Sequence, residues 1–274
     1  MSVDFDFLTR QYFYFDKPVP YDCNENQKLL ITPIYVEDFE IFSSSVPVIS
    51  FEKDNMPDPK IIQMSYLQFV VEVLIPNSEE ARQGLINICK LCLGIDRLGI
   101  AKNELGRICL IDQDTGIIIS AKQFDEIRSI IMKQNFINYD DEYINPELKK
   151  ALQETKELRN KNIEVPTLER KIAIITAHCG LSKKEQLNMT YRSHELLFDE
   201  VCGEVKFTTY TPAMMFGGKG KEIEDWIFKK KKGKFDGDVI SVSDYNKSGG
   251  GDGNVDSIQQ TSQQDLLNQL KNIK

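Results

Sequence analysis

Between Gly106 and Gln134 two apolar runs joined by a turn lead straight into a capped amphipathic helix, and a chain built on that unit must combine sheet and helix in one core. Gly106-Arg-Ile-Cys-Leu-Ile-Asp and Gly116-Ile-Ile-Ile-Ser are of strand length. Asp112-Gln-Asp-Thr-Gly between them has the turn chemistry of a short hairpin. Ser120 with Gln123 forms a capping box for a helix over 121–134, whose Phe124, Ile127, Ile130 and Ile131 fall on one side.

The residues before this unit repeat both patterns. The aromatic stretch Gln11-Tyr-Phe-Tyr-Phe, Pro18-Val-Pro-Tyr and the run Lys28-Leu-Leu-Ile-Thr-Pro-Ile-Tyr predict two strands in an edge hairpin. Val36, Phe39 and Phe42 predict a short helix that Ser43-Ser-Ser and Pro47 stop. Ile61, Met64, Leu67, Val70, Val71 and Leu74 predict a helix to Ile75, and Pro76-Asn-Ser-Glu-Glu ends it and caps another that runs to about Leu93. The expected class is α+β, with an α+β domain over 1–138.

From Asn145-Pro146 onward the pattern turns helical. A highly charged helix over 147–161 offers only Leu148, Leu152 and Leu158 as an apolar stripe, which suits a connector or a partner-binding arm. Pro166-Thr167 opens a helix with Leu168, Ile172 and Ile175 on one side, closed at Gly180. Ser182 with Glu185, and then Thr190, start two more, and a short helix carries Trp226, the single tryptophan. These elements define a helical domain over 146–236. Residues 237–274 contain Ser248-Gly-Gly-Gly-Asp-Gly and read as a flexible tail ending in a weak stripe of Leu266, Leu267, Leu270 and Ile273 that could enter a partner's groove.

Composition narrows the functional classes. With 42 acidic against 34 basic residues the net charge is -8, which disfavours a dedicated nucleic-acid surface, although Lys229 to Lys232 form a local basic run. No apolar run approaches the roughly 20 residues that span a bilayer, and Met1-Ser-Val-Asp-Phe-Asp lacks the basic start of a secretory signal. The chain is therefore expected to remain where it is made. Of the six cysteines, all but Cys23 sit in apolar surroundings, the pattern of buried thiols in a reducing compartment.

Candidate chemistry is sparse. Cys89-Lys-Leu-Cys92 has metal-ligand spacing, and His178, Cys179 and Cys202 could complete a zinc site, but the pair lies inside an apolar helical pattern and no second pair follows. His178-Cys179 invites a thiol-nucleophile reading, yet Cys179 continues the stripe of Leu168, Ile172 and Ile175 and reads as core. His194 reads as a partly exposed polar residue. Gly217-Gly-Lys-Gly lacks the ending and the preceding strand of a phosphate loop. No metal, cofactor or catalytic set is expected, and the partner-binding candidates are Leu148, Leu152, Leu158, Trp226, Leu266, Leu267, Leu270 and Ile273.

Four segments together resemble tail-assembly chaperones and related tail or baseplate assembly proteins of tailed bacteriophages infecting Gram-positive bacteria. They are Leu30-Ile-Thr-Pro-Ile-Tyr-Val-Glu-Asp, Ile62-Gln-Met-Ser-Tyr-Leu-Gln-Phe, the stretch from Ile118 to Asn135, and Cys179-Gly-Leu-Ser-Lys-Lys-Glu-Gln-Leu-Asn-Met-Thr-Tyr-Arg-Ser. The resemblance implies a non-enzymatic assembly factor that holds a tape-measure, hub or baseplate protein in the host cytoplasm. It leaves open self-association and a permanent place in the virion tail. The chain departs from shorter members of that group by its α+β first part. A zinc- or cysteine-dependent enzyme is the alternative from another class.

Overall fold

The computed structural model describes residues 3–24, 27–51, 53, 58–103, 106–137, 139 and 165–217. The described residues of both expected domains lie in one compact unit. The fold is α+β, as the sequence implies.

The chain opens with helix α1 (Phe5–Gln11), capped where the Asp4 carboxylate accepts the Phe7 N–H at 2.9 Å. A 3-10 turn over Phe13–Phe15 follows, so the stretch from Gln11 is helical and not a strand. The expected hairpin is present one segment later, as β1 (Val19–Asn24) and β2 (Gln27–Ile31), antiparallel with Val19 opposite Ile31. Helix α2 (Phe39–Ser45) lies where expected but runs through Ser43-Ser-Ser, and Pro47 starts α3 (Pro47–Ser50) instead of ending the helical run. The first turn of a helix needs no N–H from its leading residue, so proline is at home there.

The helix expected from residue 60 to 75 is a broken one: α4 (Pro59–Gln63), α5 (Tyr66–Phe69), a π-helical turn over Val70–Leu74, and α6 (Ile75–Asn77). Ser65 caps α5, its hydroxyl accepting the Gln68 N–H. Pro76 has no N–H to give the Glu72 carbonyl, and the wider turn gives its ring room. Helix α7 (Glu79–Leu93) ends at Gly94, left-handed at φ 66°, and crosses α2 closely at Gly84, where a Cβ would stand 3.3 Å from the Ser45 carbonyl oxygen.

The second sheet has the order β3 (Leu98–Lys102), β4 (Ile108–Asp112), β5 (Ile118–Ser120), all antiparallel. Helix α8 (Ala121–Asn135) follows with both halves of its capping box formed. Its Phe124, Ile127, Ile130 and Ile131 join Phe42, Leu67, Leu85, Ile88, Leu110 and Ile119 in one continuous core. Each such side chain contributes roughly 1.5–3 kcal/mol by leaving water.

Three helices complete the described residues: α9 (Leu168–Cys179), α10 (Lys183–Leu187) and α11 (Tyr191–Phe216). They close onto the earlier residues around Tyr191. Its N–H donates to the Ile34 carbonyl at 2.7 Å, and the Val36 N–H donates to the Met189 carbonyl at 2.9 Å, a bridge between residues 35 and 190. The Tyr191 ring stacks on Phe39 at 4.0 Å between centroids and meets Phe136 edge-on at 6.1 Å. From the other side Asn135 supplies its side-chain oxygen to the Ile34 N–H at 2.9 Å.

Candidate functional site

Helix α11 is anchored at one end and bare at the other. At its start the Thr190 hydroxyl accepts the Ser193 N–H and donates to the Asp16 carboxylate at 2.6 Å, and the Ser193 hydroxyl also donates to Asp16, at 2.8 Å. A carboxylate there complements the positive end of a 26-residue helix. Asp16 reaches this place because it ends the 3-10 turn in a left-handed conformation at φ 54°. Next to it Arg192 is buried, donates to the Lys133 carbonyl at 3.1 Å and lies over the Phe13 ring.

One turn on, a polar cluster joins the three last helices. Gln186 is fully buried, and its amide nitrogen faces the Ile172 and Leu181 carbonyls and the Thr176 hydroxyl. That orientation points the amide oxygen at His194 Nε2, 3.2 Å away, so Nε2 carries the proton. His194 is 0% exposed, which corrects the expectation of a partly exposed residue. Local sequence gave no sign of it, because the partner that makes its burial tolerable comes from α10. Its Nδ1 has no hydrogen bond and lies 3.9 Å from Glu195. Burial alone would raise the Glu195 carboxyl, but the Lys171 ammonium, 2.6 Å from it, holds it below its ordinary range.

Past Val201 no described residue of α11 is buried. Phe207 is 36% exposed, Tyr210 60%, Met215 66% and Phe216 93%, and from Phe207 to Gly217 the sequence carries no charge. A helix that buries its first three turns and leaves an aromatic, thioether-rich remainder in water is a candidate interaction surface, since exposed apolar area marks such sites. Methionine and aromatic side chains suit the role, the one by adapting its shape and the other by large rigid area. The run Phe207-Thr-Thr-Tyr-Thr-Pro-Ala-Met-Met-Phe carries the signal in sequence, as an apolar helix without a charged face, and sequence reading passed over it.

The expected partner-binding residues Leu148, Leu152, Leu158, Trp226, Leu266, Leu267, Leu270 and Ile273 lie outside the described residues. The cysteines divide differently from expectation: Cys23, Cys89, Cys92 and Cys109 are buried, and Cys179 and Cys202 are exposed. Cys179 is the last residue of α9, where the chain turns away at Gly180. Burial pushes the Cys89 thiol up to about 12 and the Cys92 thiol higher still, so neither holds a reactive thiolate near neutral pH. Among the described residues no group of three or more His, Cys, Asp or Glu is placed to hold a metal ion, and no helix is long and apolar enough to cross a membrane. No family model, curated protein or solved structure matches this chain.

Proposed function

We propose that this protein is a non-enzymatic assembly factor of a bacteriophage tail or baseplate, which holds a tape-measure or hub protein in the host cytoplasm through its helical half. The observation that carries the reading is the exposed end of α11 from Phe207 onward, an uncharged stretch with aromatic and methionine side chains on a firmly anchored base. A helical partner laid along it would cover apolar side chains at helical spacing, the helix-against-helix mode of recognition. The four segments that resemble tail-assembly chaperones favour a tape-measure or hub protein as that partner.

Co-expression with a phage tape-measure protein, followed by pull-down, tests the proposal. The expected result is a complex with wild type that Phe207→Asp with Tyr210→Asp abolishes. No complex, and no gain in partner solubility, would refute it. Purified virions decide between chaperone and permanent component, because stoichiometric retention in them selects the second.

A further inference from the structure

Among the described residues, every sheet edge but that of β3 is guarded. Strand β1 carries Pro20, and Gln123 of α8 donates to its Cys23 carbonyl. Strand β2 lies against α7, with the Thr32 N–H just past its end on the Cys92 carbonyl. Strand β5 is short, Ile118–Ser120, and runs straight into α8. Such devices keep an edge from pairing with foreign chains. Strand β3 has no proline, no bulge and no charge at its centre, and β4 is its one neighbouring strand.

The ladder fixes which backbone groups of β3 are free. The Gln113 N–H donates to the Arg97 carbonyl and the Asn103 N–H to the Arg107 carbonyl, so Arg97, Gly99, Ala101 and Asn103 bond toward β4 and the residues between them face outward. The N–H and C=O of Leu98, Ile100 and Lys102 therefore stand at the open edge, and nothing among the described residues bonds to them. Ile100 shares a cross-strand row with Leu110 and Ile119. Those two are 0% exposed and Ile100 is 47% exposed, so the buried face of the sheet is cut off at β3.

We infer that β3 pairs with β3 of a second copy, antiparallel about a two-fold axis at Ile100, joining the sheets of the two copies into one. The strand fits itself. In this register Ile100 faces Ile100, Leu98 faces Lys102 and the small Gly99 faces the small Ala101, and every outward N–H and C=O of one strand finds its mate on the other. Lys102 comes diagonally across from Asp96 of the other copy, an exposed carboxylate that pairs with Lys90 in its own chain. A register centred on Lys102 would instead set the two ammonium groups opposite each other. The contact is small, below about 1,200 Å², so the pair is weak and depends on concentration.

Sedimentation equilibrium of the full chain over about 10–500 µM tests this. Wild type is expected to shift from monomer toward dimer across that range. Ile100→Pro removes an N–H that β4 does not use, so it is expected to weaken dimerisation about tenfold or more with an unchanged far-UV circular dichroism spectrum. Lys102→Asp and Asp96→Lys are each expected to weaken it about fivefold, and the two together to restore it, which a merely structural effect would not do. Should Ile100→Pro unfold, the charge reversals alone decide. A wild type that stays monomeric throughout, a folded Ile100→Pro chain that dimerises as well as wild type, or charge reversals that do not compensate would each overturn the inference. So would dimers that changes at Phe207 and Tyr210 abolish and changes along β3 do not. The inference is independent of the proposed function: capture of a tape-measure protein by a chain that never dimerises overturns this inference alone, and dimerisation without capture refutes that function alone.

Discussion

Replacing Gln186 by leucine isolates the polar cluster that joins α9, α10 and α11. The side chains are similar in size, so the site stays filled and the change is chiefly in hydrogen bonding. Wild type donates from the amide to the Leu181 carbonyl at 3.1 Å and to the Thr176 hydroxyl at 2.9 Å, and accepts from His194 at 3.2 Å. Leucine leaves the His194 Nε2–H without an acceptor in a fully buried place, at a cost of about 1–3 kcal/mol, and strips the Leu181 carbonyl of a donor for about 1 kcal/mol more. The leucine's own burial returns about 1 kcal/mol, so the net loss is about 1–3 kcal/mol. Urea unfolding of the full chain followed by circular dichroism measures the total. Native-state hydrogen exchange should place the loss in residues 168–198 before it appears in α7 or α8. A variant within about 0.5 kcal/mol of wild type, or one that loses protection evenly, would refute the assigned hydrogen bonds.

Asp16→Ala should cost about 2–3 kcal/mol in the same unfolding assay, by removing the acceptor for Thr190 and Ser193 and placing alanine at a left-handed position; Asp16→Asn, which tolerates that conformation and keeps an acceptor, should cost about half as much. Glu195 has a folded pKa below its unfolded value, so its contribution is complete above the ordinary carboxylate range of about 4–5 and is lost as pH falls through the lower folded value. Lys171→Met should therefore destabilise by about 1–2 kcal/mol at neutral pH and progressively less in denaturation series run below about pH 4. Thiol titration of the native protein should label Cys179 and Cys202 rapidly and leave the other four for the denatured chain, while fast labelling of Cys89 would contradict its burial.

What sequence revealed and what it hid follow from the range of the forces involved. Ser120 with Gln123, Ser182 with Glu185, Thr167 and Thr190 were legible as helix starts because a cap is a bond between neighbours three residues apart, and each is formed. Strand β3 was not legible. Leu98-Gly-Ile-Ala-Lys has no clean alternation and holds a glycine, and it becomes a strand because β4 offers a ladder from Asp112 to Ile108. Helix α1 was missed although Asp4 and Asp6 stand at its start, because the aromatic residues that follow resemble a strand. The exposure of Cys179 and the burial of His194 depend on what lies across from them, which periodicity along one helix does not encode.

The joint at Tyr191 also sets a schedule. Asp16 and Thr190 are 174 residues apart, and the Ile34–Val36 backbone, the Phe39 ring and the Phe136 ring wait for groups that leave the ribosome long after them. At about 5–20 residues per second, the interval between the synthesis of Phe136 and of Tyr191 is on the order of 3–10 s. During it the strands and α7 have time to settle while the seat for α11 stands open. Docking of α11 comes after those elements have formed, and any ligase, protease or chaperone that reads unfinished chains has those seconds in which to find the Phe39 and Phe136 faces that Tyr191 covers.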